Sequence, residues 1–527
     1  MQQPHAAPGA PVRTGSTVSP PTAAAPPDRP ARAFASLALL ATAALLCLAA
    51  ILNRQPFLYP DTPVYVRRAE TGLGKLMGAD RIKPWTAGPS AAAGPAASSA
   101  GAPAENDRNV NLAGRSVYYG ALLYGAHAAG TLWLAVAAQA LCVAGMLHLL
   151  IVRLWGFGGR HLLAAGAGLA LLTPLAAFTG LLMPDVFAGV TVLCSGVLAS
   201  YWNRLRRWEC MGVAALLLFA IAAHPSHLAL AAGMLIFLLA CKLLRRGPRA
   251  PWPALVLLAG CVLGGVAAEW VFNKAMAAAV GAPPVRLPHS MAHLIGMGPG
   301  TDYLRQNCPR AGYVACDYVA NFPTHWDDFL FSDEPSKGAF WLADAQAKRR
   351  MSQEQVAFVL DVVRFDPVGV ARGLGAEVLE QLASFRVDVG RFGPDEPAKY
   401  YAGRVPDDVL ADLRRSRAVR GGDFDGWLSG ATYAAVAGSL VLLAWRRRGS
   451  ALPRPPGFNE LAVVIGAGVL ANAVICAVFA APLDRFQSRV IWLVPLLAAA
   501  VLLQLRIARR PASSPPSLPA TSTKGHR

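Results

Sequence analysis

The stretch Phe34–Leu52, FASLALLATAALLCLAAIL, decides the fold class of this chain. It carries no charged residue, and a helix needs roughly 20 apolar residues to cross a hydrocarbon core of about 30 Å. The composition agrees, because 54% hydrophobic residues, 15% charged residues and a mean hydropathy of +0.38 exclude an ordinary soluble domain. The sequence predicts an all-α polytopic membrane protein with about ten transmembrane helices, at 33–53, 130–152, 161–181, 186–202, 208–223, 226–244, 252–273, 427–445, 460–481 and 489–507.

The basic residues orient these spans. Cytoplasmic loops of membrane proteins collect Lys and Arg, whereas the loops 182–185 and 224–227 hold neither. With both termini in the cytoplasm, every short inner loop is basic, at 153–160, 204–207, 242–249, 446–454 and 506–510. The bias towards Ala, Gly, Pro and Arg suggests a bacterium, so we expect a multi-pass protein of a bacterial inner membrane. This topology accounts for much of the net charge of +18 and requires no nucleic-acid partner.

The rest of the sequence indicates tails, a long loop and an outer-face domain. The first outer loop, 54–129, contains a Thr86–Ala104 tract of mostly Ala, Gly, Pro and Ser, which predicts a flexible insertion. In the outer-face domain, Ser352–Gln355 resembles a capping box and Asp366-Pro367 a helix start, so we expect mainly helical structure. We expect five parts, in order: a disordered cytoplasmic tail at 1–32, a membrane domain with seven spans at 33–273, an outer-face soluble domain at 274–426, three C-terminal spans at 427–507 and a disordered cytoplasmic tail at 508–527.

Two of the nine cysteines stand apart from the predicted spans. Cys308 and Cys316 lie in the outer-face domain, close together around Pro309 and Gly312. This spacing suits a disulfide in an oxidising compartment. A zinc site is the alternative, but no second pair of ligands with suitable spacing lies nearby in the sequence.

The outer loops also carry titratable residues. They are Asp61 in YPDTPVY (59–65), Asp185 in MPD (183–185), His224 and His227 in HPSH (224–227), and Arg485 and Arg489 in DRFQSR (484–489). Ionisable groups beside a membrane core are costly and often functional. Plainer interpretations exist, because either Asp can cap a helix, the His pair can mark a turn, and the arginines can pair with Asp484 or with lipid phosphates.

The joint order of these features resembles the GT-C glycosyltransferases, polytopic enzymes that transfer a sugar from a polyprenyl-phosphate carrier to an acceptor at the outer membrane face. Only short stretches match, at 59–65, 114–119, 183–185 and 484–489. The resemblance implies a hexosyl- or pentosyltransferase that uses a polyprenyl-phosphate sugar donor, with a glycan, lipid or protein acceptor, among membrane lipids. Thr62 follows Asp61 where some members carry a second acid, so no cofactor is implied for certain and a divalent cation stays possible.

Glycosyl transfer itself assigns roles to these residues. An inverting transfer passes through an oxocarbenium-like transition state and needs a base that takes the acceptor proton. Asp61 is the candidate base, and Asp185 is a second catalytic candidate. The departing lipid phosphate is anionic, and the planar guanidinium groups of Arg485 and Arg489 suit it. The other substrate-binding candidates are Arg115, Tyr118, His224 and His227.

Three other functions fit parts of the pattern. A polysaccharide polymerase or ligase with a lipid-linked donor would share this topology and depend on the outer Arg and His residues more than on Asp61. A non-enzymatic transporter would be expected to have internal repeats and sites at the membrane midplane, which the sequence does not indicate. A scaffold protein would tolerate substitution of the loop charges.

Overall fold

The computed structural model describes residues 29–86, 110, 112–389, 391–421, 424–448 and 454–508. The tail 1–28, residues 87–104 of the Ala/Gly/Pro/Ser tract and the tail 509–527 lie outside the described residues. Within the described ranges the regular secondary structure is helical, with two isolated β-bridges. Seven helices are long and apolar enough to cross a membrane, which confirms a helical multi-pass membrane protein. They are Trp133–Leu154, Val186–Arg204, Pro225–Leu243, Trp252–Ala278, Phe424–Arg447, Phe458–Phe479 and Asp484–Ala508.

The α-helices are numbered in chain order. The first eleven are α1 Arg29–Leu46, α2 Leu48–Asn53, α3 Thr62–Met77, α4 Val117–Ala128, α5 Trp133–His148, α6 Gly159–Leu172, α7 Leu175–Gly180, α8 Val186–Tyr201, α9 Arg207–Ala223, α10 Pro225–Leu243 and α11 Trp252–Val280. The others are α12 His289–Met297, α13 Pro299–Asn307, α14 Trp326–Phe331, α15 Ala345–Phe365, α16 Pro367–Ala383, α17 Glu396–Tyr401, α18 Asp407–Arg415, α19 Arg417–Arg420, α20 Phe424–Arg447, α21 Phe458–Phe479, α22 Asp484–Ile491 and α23 Leu493–Ala508.

Three of the ten predicted spans are shorter or interrupted helices. The 33–53 segment starts earlier, at Arg29, and is divided at Cys47 into α1 and α2. The 161–181 segment is divided at Thr173-Pro174, because Pro has no N–H and clashes with the preceding turn. The 208–223 segment forms α9, which has 17 residues and ends where Pro225 disfavours helical geometry at His224.

The segment predicted as the first outer loop contains two helices, α3 and α4, that pack tightly together. Their contact depends on Gly120, because a Cβ at this position would lie 2.2 Å from the carbonyl oxygen of Tyr65. Tyr65 and Tyr119 meet edge to face beside it, with ring centroids 5.4 Å apart. The close crossing brings the residues before each helix, Asp61 and Arg115, to the same place.

The predicted outer-face segment 274–426 packs in two different ways. Its first part, α12 to α16, forms a separate hydrophobic cluster around Met291, Phe340 and Phe358. The later residues 385–419 pack instead against the main core of the helix bundle. The structure joins the Sγ atoms of Cys308 and Cys316 in a disulfide within the first part.

Helix starts in this segment test the capping predictions. Asp366 caps α16, because its Oδ1 accepts the backbone N–H of Gly369 at 2.8 Å, and Pro367 is the first helical residue, as predicted. The predicted capping box at Ser352 is wrong. Helix α15 begins at Ala345, where Asp344 accepts the N–H of Ala347, so Ser352 lies inside the helix.

The bundle has two chemically different ends. Asp61, Asp185 and the start of α22 lie at one, which we call the aspartate end. The opposite end, the arginine end, carries Arg204 and Arg446. Two contacts attach the outer segment to the aspartate end, because the side-chain amide of Gln381 donates to the carbonyl of Leu483 at 2.8 Å and its oxygen accepts the Leu483 N–H at 3.0 Å.

The Gly120 contact gives a first prediction. Gly120→Ala should lower the unfolding free energy by about 1–3 kcal/mol, the usual cost of overpacking a tight contact. The matched control is Gly125→Ala on the same helix, where a Cβ would meet no described atom within 4 Å. Because Ala is the better helix former, this control should gain about 0.5–1 kcal/mol. Thermal unfolding in detergent measures both, and equal shifts would contradict the close crossing of α3 and α4.

Candidate functional site

Asp61 and Arg115 form the first part of a charged cluster at the aspartate end. Nη2 of Arg115 donates to Oδ1 of Asp61 at 2.7 Å. Among the described residues, the Asp61 side chain makes no capping hydrogen bond to α3, so its carboxylate engages Arg115 rather than the helix start. The Asp61 and Arg115 side chains remain 29% and 19% exposed, so this ion pair is only partly buried.

Ser116 fixes the position of Arg115. Its Oγ accepts the backbone N–H groups of Tyr118 and Tyr119, which caps α4, and donates to the carbonyl of Ala222 at 2.6 Å. The start of α4 is thereby attached to the end of α9, next to His224. This is why residues far apart in sequence meet at one place.

Asp185, Arg485 and Arg489 form the second part of the cluster. Oδ1 of Asp185 lies 3.5 Å from Nε of Arg485 and 3.7 Å from Nη1 of Arg489, with the Asp185 and Arg489 side chains almost fully buried. Both distances exceed the normal range of a hydrogen bond. The three residues are therefore paired in charge, while much of their hydrogen-bonding capacity remains unused.

Neighbouring helices hold the two arginines. The guanidinium carbon of Arg485 lies 4.1 Å from the centre of the Tyr59 ring, a cation–π distance. Nη2 of Arg489 donates to Oδ1 of Asn472 on α21 at 3.2 Å and approaches Oγ of Ser226 on α10 at 3.4 Å. Asp484 accepts the backbone N–H of Arg386, and the described residues show no ion pair between Asp484 and either arginine.

Buried polar atoms without hydrogen-bond partners are concentrated at this cluster. In the described part of the chain, ten buried side-chain polar atoms have no hydrogen-bond partner. Six of them belong here: Oδ1 of Asp185, Nε and Nη1 of Arg485, Nε of Arg489, Nε2 of His227 and Nδ1 of His289. Buried polar groups in proteins are normally satisfied, so such a concentration is where water or a polar ligand would find hydrogen-bond partners. Three of the six are guanidinium donors, which suit an anion.

The two predicted histidines lie in this region but have different partners. Nδ1 of His224 accepts the N–H of Ser226 and so caps α10. Nδ1 of His227 lies 2.8 Å from the carbonyl oxygen of Ala220, which can only accept, so this nitrogen carries the proton. The described residues contain no group of three or more His, Cys, Asp or Glu side chains that could hold a metal ion. The possible divalent cation thus has no ligand set in this part of the chain.

Tyr118 lies apart from the charges. Its hydroxyl donates to the carbonyl of Ala268 on α11 at 2.9 Å. Its neighbour Tyr119 is fully buried and donates to Oε1 of Gln139. The structure therefore brings together all the predicted site residues except Tyr118, whose hydroxyl contacts a helix backbone.

Two residues of the cluster were missed from the sequence. Tyr59 lies two residues before Asp61, and its aromatic ring could have been noted as a surface for a cation. His289, at the start of α12, is brought in by the outer segment, and its electrostatic neighbours include Arg115 and Asp61. No local pattern marks His289, because only the packing of the outer segment on the bundle places it here.

Charge states follow from these surroundings. Burial tends to raise the pKa of Asp61, but the charge and hydrogen bond of Arg115, with Arg485 and Arg404, outweigh it and hold the pKa below its ordinary value of 3.8. Burial, helped by Arg115, lowers the pKa of His289 to about 4. At neutral pH the cluster therefore combines an ionised Asp61 with a neutral His289.

The buried Asp185 gives a second prediction. Asp185→Asn leaves two buried guanidinium groups without their counter-charge and should cost about 3–5 kcal/mol of unfolding free energy. The control is Asp412→Asn, since the Arg415–Asp412 pair has both side chains more than half exposed and should lose less than about 1 kcal/mol. Chemical unfolding in detergent micelles measures both variants. A similar, small loss in both would contradict a buried pairing role for Asp185.

Comparison with protein-family models, with curated proteins and with solved structures finds no match for this chain. The resemblance to GT-C glycosyltransferases therefore remains a hypothesis drawn from the sequence. What the cluster can do must be inferred from its own groups, which are a partly exposed, ionised carboxylate beside the partly buried Arg485 and the buried Arg489, both with unused donors among the described residues.

Proposed function

We propose that this protein is a GT-C-type glycosyltransferase of a bacterial inner membrane, which transfers a sugar from a polyprenyl-phosphate donor to an acceptor hydroxyl at the periplasmic face. One observation carries the proposal: a partly exposed carboxylate, Asp61, lies in one cluster with Arg485 and the buried Arg489, and in the described residues Nε of both arginines and Nη1 of Arg485 lack hydrogen-bond partners. These are the two groups that such a transfer requires, a base and a site for the leaving phosphate.

Asp61 acts as the base in this proposal. The bond between the anomeric carbon of the sugar and the phosphate oxygen breaks, and a bond from the same carbon to the acceptor oxygen forms. The acceptor proton passes to Asp61, and the polyprenyl phosphate leaves with the bonding electrons. Since Arg115 contacts Oδ1, the Oδ2 oxygen remains available for the acceptor hydroxyl. The low pKa of Asp61 ensures that the base is ionised before the acceptor arrives.

Arg485 and Arg489 hold the phosphate. A donor phosphate brings negative charge to a place where three guanidinium N–H groups lack a partner and the Asp185 contacts are longer than hydrogen bonds. Direct hydrogen bonds to phosphate oxygens would satisfy these donors, with the geometry that guanidinium groups favour. When no phosphate is bound, the carboxylate of Asp185 balances the positive charge of the two arginines and helps to hold them in place.

The location favours chemistry at a membrane surface. The cluster lies where α8 and α22 begin, at the end of the bundle, whereas a transporter site is expected near the midplane. Arg204 and Arg446 at the opposite end support a cytoplasmic location for that end, because cytoplasmic loops collect basic residues. A polymerase or ligase with a lipid-linked donor would use the same arginines. Its activity would depend less on Asp61 than the activity of the proposed glycosyltransferase.

The direct test is Asp61→Asn. This change keeps the size of the side chain and removes its basicity, so release of polyprenyl phosphate from the donor should fall by about 10²–10⁴-fold, the usual contribution of a positioned base. The measurement uses membrane vesicles, a panel of labelled polyprenyl-phosphate hexoses and pentoses, and thin-layer chromatography of the lipid product.

The matched control is Asp80→Asn, which changes an exposed carboxylate of the same outer loop and should leave the rate unchanged. Thermal unfolding confirms that both variants fold. Normal transfer by folded Asp61→Asn would remove Asp61 as base and favour the polymerase or ligase interpretation. Failure of the wild-type protein to use any donor of the panel would count against the proposed donor class.

The pKa of Asp61 gives a fourth prediction. A base works only when ionised, so activity falls as the pH drops through its pKa, and in the wild-type protein Arg115 holds that limb below the ordinary range of an aspartate. In Arg115→Ala the burial remains while the lowering charge is lost, so the pKa rises and the acidic limb moves to higher pH. Arg115→Lys keeps the charge and should keep the limb near its wild-type position. Identical pH–rate profiles for wild type and Arg115→Ala would show that Arg115 does not control the base.

A further inference from the structure

A cavity lies between the end of α2 and the start of α20, and its described lining differs from the residues of the charged cluster. Its volume is about 770 Å³, within the range of about 300–1,000 Å³ typical of sites for small molecules. Apolar side chains form much of its lining, with Leu52 and Phe57 on one side and Phe424 and Trp427 of α20 on the other. The described lining includes neither the carboxylates nor the arginines of the candidate site. The cavity is therefore a separate binding space.

The rest of the cavity wall is basic. Arg391 and Arg417 both line it, with a single described carboxylate, Asp425, whose Oδ2 lies 3.9 Å from Nε of Arg391. Two cations and one anion give the described part of the lining a net positive charge. The walls are also joined, because Oδ1 of the buried Asn53 accepts the backbone N–H of Ala418 at 2.9 Å. A preformed, basic cavity of this kind suits an anionic headgroup.

The position of the cavity indicates where its ligand comes from. Trp427 is 57% exposed near the first turn of α20, one of the helices that can cross a membrane, and Trp is enriched at membrane interfaces. Leu52, on the opposite wall, is 40% exposed at the end of the first apolar segment. Both exposed side chains face surroundings that are lipid in a membrane-embedded protein. The cavity thus combines exposed apolar side chains that suit contact with lipid and basic side chains that suit an anionic headgroup.

We propose that this cavity binds an anionic diacyl phospholipid of the surrounding leaflet, with its phosphate held by Arg391 and Arg417 and an acyl chain lying along Leu52 and Trp427. The sugar donor is also a lipid phosphate, but a donor held here would keep its phosphate away from Arg485 and Arg489. The phospholipid instead joins α2, the 391–419 segment and α20, and so stabilises the attachment of the outer segment to the bundle.

The test measures lipid binding to the full chain in mild detergent. Phosphatidylglycerol should co-purify with the wild-type protein, as seen by native mass spectrometry, and should raise its Tm when added back. Arg391→Ala combined with Arg417→Ala should weaken this binding by about tenfold or more, because two charge-assisted contacts are lost. The matched control, Arg414→Ala with Arg420→Ala, removes two exposed arginines of the same segment that are not among the described lining and should bind like wild type.

A second variant separates filling of the cavity from loss of charge. Val419→Trp fills the cavity without altering its charge and should reduce phosphatidylglycerol binding as well, so the test stands even where the double arginine variant does not fold. Equal binding by all variants would overturn the proposal. It would equally be overturned if a polyprenyl phosphate displaced phosphatidylglycerol at equal concentration, which would make the cavity a donor groove, or if inorganic phosphate raised the Tm as much, which would make it a simple anion site.

Discussion

The arrangement of the aspartate end depends on one constraint, that a charge buried in a membrane protein must be compensated. Asp185 stands at the start of α8, and Arg485 and Arg489 on α22 are its counter-charges. The pairing brings together helices separated by about 300 residues in sequence and sets where α22 begins. Arg489 also contacts Asn472 on α21 and Ser226 on α10, so both helices pack beside the same charged groups.

The outer segment completes this arrangement. Gln381 binds the backbone of Leu483 from both its amide nitrogen and its oxygen, and Asp484 accepts the N–H of Arg386, so the loop before α22 is fixed from outside the bundle. Asp484 thus accepts a backbone N–H, and in the described residues Arg485 and Arg489 pair with Asp185 rather than with Asp484. The attachment of the outer segment also accompanies the approach of His289 towards Asp61 and Arg115. The cluster is therefore a property of both parts together.

Much of the class and of the cluster could be predicted from sequence, and the misses have physical reasons. Long apolar runs define membrane helices because hydrocarbon imposes a length, and basic loops assign sides, which placed Asp61, Asp185, His224 and Arg489 at one end. The number of spans was harder to predict, because Pro174 divides the 161–181 run, which its apolar composition alone would assign as one span. The capping motif at Ser352 failed because the same residues also occur inside helices. His289 could not be predicted, because only tertiary packing brings it to the cluster.

The two carboxylates of the cluster differ in a way that suits different tasks. Asp61 has a short hydrogen bond to a single arginine and stays partly exposed, so Oδ2 of its carboxylate has no partner among the described residues. In the proposed transfer, the pairing that keeps Asp61 ionised also weakens it as a base, and a positioned acceptor hydroxyl offsets this loss. Asp185 is buried and only loosely paired with two arginines, so an incoming phosphate can take up their unused donors without first breaking a strong hydrogen bond. The tight Asp61–Arg115 pair, which is proposed to take the proton, can thus lie beside the loosely paired Asp185 and arginines, which are proposed to bind the anion. They can do so because residues at different helix starts form them.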